Sequence, residues 1–187
     1  MKIIGIVGRS GTGKSYISGF FKEKGALVID GDKIAHGLMK EGPLVNELAD
    51  TFGKDILCAN GVDRKKLGKI VFSDPEKLEM LNKISHTYIC GEFDRLIAES
   101  DAPFAVIDAA ALIESGYKCD ITVAVLSDDN ICIERIENRD DISKKDALLR
   151  LSAQQSDDFY TGHADYVIIN DGRDITPTLK EIYEKAL

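Results

Sequence analysis

The stretch Ile3-Ile4-Gly5-Ile6-Val7-Gly8-Arg9-Ser10-Gly11-Thr12-Gly13-Lys14-Ser15-Tyr16-Ile17 decides the fold. Its first five residues form a nearly unbroken β-branched apolar run, the pattern of a strand covered on both faces. Residues 8–15 fit G-x-x-x-x-G-K-[ST] at every fixed position, and Ile17, Phe20 and Phe21 follow at the i, i+3, i+4 spacing of an amphipathic helix. Strand, glycine-rich loop and helix in that order make a phosphate cradle. Gly8, Gly11 and Gly13 let the backbone curl with its N–H groups inward, and the helix N-terminus adds its positive dipole end. Lys14 supplies a cation for β- and γ-phosphates, and the Ser15 hydroxyl a ligand for Mg²⁺. The candidate nucleotide-binding stretch is thus Gly8, Gly11, Thr12, Gly13, Lys14, Ser15 and Tyr16. The spacing is not the G-x-G-x-x-G of dinucleotide folds, which disfavours nicotinamide or flavin chemistry. The bland alternative is a glycine-rich turn that binds nothing.

Working outward, four more apolar runs read as strands: ALVID (26–30), FAVIDA (104–109), ITVAV (121–125) and YVIIN (166–170). Helical patterns alternate with them, so the fold expected is α/β, a doubly wound parallel five-stranded sheet built from right-handed βαβ units. The core is expected over residues 1–30, 104–127 and 162–187. The gap 31–103 is far longer than one crossover requires and reads as all helical, in pieces at 43–52, 63–72, 74–85 and 86–99. Asp74 is placed to cap the third piece, with Pro75 at its first turn. The gap is read as a helical subdomain inserted into the α/β core. Residues 128–161 form a second helical excursion, broken at RDDIS, with two readings: a helical lid or a plain surface hairpin.

At 187 residues the chain is one domain by length, with 44% hydrophobic and 30% charged residues, an ordinary globular composition. The net charge of −8 argues against broad nucleic-acid binding, which needs a basic face. It leaves room for one small anionic ligand held by backbone N–H groups. Cys58, Cys90, Cys119 and Cys132 form no C-x-x-C pair and read as reduced thiols, and no apolar run approaches the roughly 18 residues of a membrane span. No targeting segment is read at the start, and a cytoplasmic protein with no nucleic-acid or membrane partner is expected, its oligomeric state open with a monomer favoured.

A phosphate loop does not identify the acceptor; acids at strand ends bear on that, because ligands sit outside the C-terminal edge of such sheets. Asp30-Gly31-Asp32 closes the second run. Asp32 is a candidate to orient an acceptor hydroxyl or take its proton, and the competing reading is that Asp30 or Asp32 caps the next helix. Asp108 closes the third run, either as a Walker-B-type acid at Mg²⁺ or as a turn residue. Arg135 and Arg139, at i, i+4, share a helix face, and Arg150 follows. Arginine suits phosphate contact, yet residues 128–160 carry five Lys/Arg against nine Asp/Glu, so no basic patch exists and any such role rests on single arginines. His36, His86 and His163 are scattered, and Glu114-Ser115-Gly116 is either a ligand loop or a helix end.

With these pieces laid out, the chain resembles the bacterial dephospho-coenzyme A kinases over nearly its whole length. The blocks that carry the resemblance are IGIVGRSGTGKS, GALVIDGDKIAH, FGKDIL with GVDRKKLGKIVF, LNKISH, LIESG, ERIENRD, RLSAQQ and ADYVIIND. The resemblance implies a P-loop NTPase-like core, a helical acceptor-binding domain and a lid. It also implies an alcohol-group phosphotransferase that uses ATP and Mg²⁺ to phosphorylate the ribose 3′-hydroxyl of dephospho-CoA, its small-molecule partner, in coenzyme A biosynthesis. By position, Asp32 matches the acid at the acceptor hydroxyl, Lys14 and Ser15 the phosphate and Mg²⁺ residues, and Arg139 a lid arginine. Asn170 lies in the block resembling an adenine-side loop, His86 in the helical-domain block, and Arg64 is a possible substrate contact. The chain departs from the family pattern at Arg9, where glycine or threonine is usual, at Tyr16 in place of threonine, at Thr87 in place of proline, and in the run Asp108-Ala109-Ala110-Ala111-Leu112. Two rival readings stand beside this one: a nucleoside or nucleoside-monophosphate kinase on the same core, and a nucleotide-binding switch without an acceptor.

Overall fold

The structure, a computed structural model, describes residues 1–187. The apolar runs form strands β1 (Lys2–Val7), β2 (Leu27–Asp30), β5 (Phe104–Asp108), β6 (Ile121–Leu126) and β7 (Tyr166–Ile169), each within about a residue of its expected limits. All pairings among them are parallel, in the order β2-β5-β1-β6-β7, with β1 in the centre. Helix α1 (Lys14–Glu23) and the C-terminal helix α9 (Thr176–Ala186) contribute to one core beneath the sheet. There Ile17, Phe21, Leu179 and Ile182 pack with Ile4, Ile6, Phe104, Val106, Val123 and Val125. The other face is covered just as closely: a methyl group added at Gly5 would lie 2.7 Å from Leu112 and 2.8 Å from Cys119. Coverage on both faces explains why these strands read as unbroken apolar runs.

Contacts divide the chain into two compact units, Met1–Asp30 with Ser100–Leu187, and Gly31–Glu99. The second unit has its own core. Helices α2 (Gly31–Leu38), α3 (Pro43–Phe52), α4 (Arg64–Val71) and α5 (Pro75–Ala98) enclose Leu44, Leu48, Ile56, Leu67 and Val71. Two expectations are corrected here. The pieces 74–85 and 86–99 are one 24-residue helix, because no glycine, proline or cap interrupts the chain between Ser85 and His86. Nor is the segment all helical: β3 (Leu57–Cys58) and β4 (Gly61–Val62) form an antiparallel hairpin. Asn60-Gly61 is a turn signal that could have announced it. Asp74 caps α5 as expected, accepting from the Glu76 and Lys77 N–H groups.

The excursion after β6 belongs to the first unit and holds α6 (Asp129–Asp140), α7 (Lys144–Ser152) and α8 (Asp157–Thr161). Cys132, Ile133, Ile136, Ala147 and Leu151 form a small core between α6 and α7. The break at RDDIS is made by Asp141, the one non-glycine residue with positive φ (+51°), a conformation that aspartate tolerates better than most residues.

Candidate active site

Strand β1 delivers the chain to the C-terminal edge of the sheet beside Asp108, which is in register with Ile6 on one side and Asp30 on the other. The loop from Gly8 to Gly13 turns there and starts α1 at Lys14. Its glycines are required by space as well as by φ. At Gly11 (φ +81°) a Cβ would stand 2.5 Å from the Cys132 carbonyl oxygen, and at Gly13 (φ +94°) 2.1 Å from Asn170 Nδ2. No side chain caps the start of α1, so the first-turn N–H groups keep their positive end toward the loop. The buried Thr12 hydroxyl donates to the Arg9 carbonyl at 2.9 Å, and Lys14 Nζ reaches back to the Gly8 and Arg9 carbonyls at 2.8 and 3.0 Å.

Two residues far away in sequence brace this loop. Asn170, just beyond β7, donates from Nδ2 to the Thr12 carbonyl at 2.8 Å. Its own carbonyl accepts from Ser127 Oγ at 2.9 Å. Arg135 on α6 donates to the Gly11 carbonyl at 3.0 Å and to the Asn170 carbonyl at 3.5 Å. Of the two arginines paired by spacing, Arg135 is joined to the loop. Arg139 forks onto its neighbour Asp140 at 2.8 and 2.9 Å, and Arg150 meets the same carboxylate. Hydrogen bonding from Arg139, first of all, holds the Asp140 carboxyl below the usual carboxylate range.

Asp108 accepts from Ser18 Oγ at 3.2 Å, and that hydroxyl also reaches the Lys14 carbonyl at 3.1 Å. The strand-end acid is thus tied to α1 at Ser18, about one turn beyond Ser15. Ser15 and Tyr16 are exposed, Tyr16 to 68%. No three His, Cys, Asp or Glu side chains cluster into a metal cage. In the helical unit, Asp32 is exposed in the first turn of α2, immediately after β2 ends in the chain. The helix starts at Gly31, so Asp32 lies within its first turn rather than at a cap position ahead of Lys33. Arg64, first residue of α4, lies 3.4 Å from His36 Nδ1, and His86 is half-buried midway along α5.

Sequence reasoning missed three features. Arg9 entered only as a departure, yet its guanidinium forks onto Asp157 at 2.8 and 3.1 Å and meets Asp129 at 2.5 Å. The Ser10 N–H donates to Gln154 Oε1 at 2.8 Å. Gln154 also lines a cavity of about 320 Å³, together with Ala110, Ala111, Glu114, Gln155 and the buried Tyr160. Burial, above all, raises the Tyr160 phenol above its ordinary pKa. No local pattern marks the Arg9 and Ser10 contacts, which join residues 120 to 148 positions apart.

A central parallel strand, a glycine loop and a lysine at the helix start, with a serine and a strand-end acid beside them, define a P-loop kinase fold. The solved structure of a shikimate kinase from Acinetobacter baumannii shares that fold, with a TM-score of 0.57 and 15% identity over 99% of this chain and 92% of that one. Within this class, the family model described as dephospho-CoA kinase matches residues 2–175. The dephospho-CoA kinase of Aquifex aeolicus is 37% identical over 99% of this chain and 97% of its own length. A Thermus thermophilus protein of known crystal structure superposes with a TM-score of 0.83 at 26% identity, covering 98% of this chain and 97% of that one. The chain belongs to the dephospho-CoA kinase family.

Proposed function

We propose that the protein transfers the γ-phosphoryl group of ATP to the ribose 3′-hydroxyl of dephospho-CoA, giving coenzyme A and ADP. One observation carries the reading: a fully braced phosphate loop in a chain of this family, with Lys14 at its centre and Arg135 and Asn170 fixing its carbonyls. The loop N–H groups and Lys14 take the β- and γ-phosphates and the charge that develops on them. Asn170 serves the adenine side, and Tyr16 lies beside the phosphates. Mg²⁺ fits the donor set, because this ion usually takes one or two protein oxygens and leaves its other positions to phosphates and water. Ser15 and Asp108 would hold it, and when bound it neutralises charge between the β- and γ-phosphates.

Asp32 orients the acceptor hydroxyl and receives its proton as the new O–P bond forms and the bond from the γ-phosphorus to the bridging oxygen of ADP breaks. Arg64 and His86 are assigned to acceptor contacts in the helical unit. Residues 128–161 act as the lid, with Arg139 turning from Asp140 to the phosphates in the closed state and water excluded. The test is product analysis combined with one variant. Wild type is expected to give a single phosphorylated product whose new phosphorus resonance couples to the ribose 3′ position. Asp32→Asn is expected to lower kcat by at least about 100-fold, the scale of general-base contributions, with ATP affinity little changed. Phosphorylation at another position, or near-normal turnover of Asp32→Asn, would contradict the assignment.

A further inference from the structure

The lid helices present an electrostatic problem that Arg9 is placed to solve. Residues 128–160 carry a net charge of −4, yet α6 and α8 lie against a loop built for a polyanion. Asp129 and Asp157 stand in the first turns of those two helices, where a carboxylate suits the helix dipole. The same placement turns both acids toward the phosphate loop. Left bare, two carboxylates there would repel the phosphate chain. The Arg9 side chain, only 14% exposed, joins both: a two-pronged contact with Asp157 and a second ion pair to Asp129. Burial works against the charged guanidinium, but the hydrogen bonds to Asp129 and Asp157 outweigh it and its pKa is raised, so the cation persists at any physiological pH. The Arg9 carbonyl, meanwhile, accepts from Thr12 and Lys14 inside the loop. One residue therefore anchors the loop through its backbone and the acidic helix ends through its side chain.

We propose that Arg9 is a positioning residue whose charge lets the acidic lid rest against a nucleotide-loaded phosphate loop, by neutralising Asp129 and Asp157. This rests on the assignment of residues 8–15 to ATP, so the readout is ATP dissociation measured without any acceptor. The wild-type arm then tests nucleotide binding itself, and the variant arms test Arg9. In Arg9→Ala the Kd for ATP with Mg²⁺ is expected to rise about tenfold, the scale of one charge-assisted contact made or lost. Arg9→Lys, which keeps the charge and loses the fork, is expected to stay within about threefold of wild type on the same scale. The triple variant Arg9→Ala, Asp129→Asn, Asp157→Asn, which has lost the cation and both acids, is expected to recover most of the affinity.

Raising the salt should shrink the Arg9→Ala deficit, since the screening length falls from about 8 Å at 0.15 M to about 3 Å at 1 M. Thermal unfolding of each variant separates binding from folding. An unchanged Kd in Arg9→Ala would overturn the proposal, as would a triple variant as weak as the single one, the signature of an arginine that touches phosphate directly. Equal losses in Arg9→Lys and Arg9→Ala would overturn it too, because geometry rather than charge would then be at stake.

Discussion

At Gly11 two requirements coincide: a left-handed backbone, and a neighbouring carbonyl oxygen 2.5 Å from where a Cβ would stand. That oxygen belongs to the backbone of α6, so it cannot swing aside as a side chain would. Gly19, by contrast, lies inside α1 with nothing within 4 Å of the Cβ position and an ordinary helical φ. Opposite signs follow. Gly11→Ala is expected to lose at least about 1–2 kcal/mol, the penalty of a left-handed alanine before any clash is counted. Gly19→Ala is expected to gain roughly 0.5–1 kcal/mol by removing backbone freedom from the unfolded chain. Urea midpoints of the two variants compared with wild type measure both. At this scale the loop was legible because the chemistry demands fixed residue types at fixed spacing. The braces were not. Arg135 to Gly11 spans 124 positions, and Ser10 to Gln154 spans 144. Helix spacing could put Arg135 and Arg139 on one face but could not say which of them meets the loop.

Elements were legible where their periodicity was strong and their boundaries chemically marked. Helix α3 begins at Pro43 and ends before Gly53, and α5 begins at the Asp74 cap. The end of α5 was clear, but its interior was cut in two where nothing in the chain calls for a break. The hairpin of β3 and β4 escaped because each strand has only two residues, too short for any alternation to register. The break between α6 and α7 was visible as a charged, proline-free run, and its mechanism is the left-handed Asp141. Asp141→Gly is expected to hold or raise the melting temperature, whereas Asp141→Val, with a β-branched side chain in that conformation, is expected to cost about 1–2 kcal/mol. Thermal unfolding of the two variants side by side is the check. If valine proves as stable as glycine, the left-handed turn is not what terminates α6.

Over the whole molecule the charge of −8 and the phosphate loop pull in opposite directions, and the structure meets this by local means. Oriented N–H groups, Lys14 and Arg135 belong to or brace the loop, and Arg9 pairs with Asp129 and Asp157. The sheet and its two helical excursions could be expected from alternating apolar runs. The order β2-β5-β1-β6-β7 could not, because it is fixed by packing across the whole chain rather than by any segment. Acceptor identity was legible only through the likeness of whole blocks to one family, since Asp32, Arg64 and His86 carry no individual signature.

The measurement that bears most directly on the proposed reaction is therefore ADP release from ATP with Mg²⁺ across a panel of acceptors. Dephospho-CoA alone is expected to stimulate it, with one ADP formed for each coenzyme A. Equal stimulation by nucleosides or nucleoside monophosphates, or ATP binding with no acceptor-dependent turnover, would contradict the assignment.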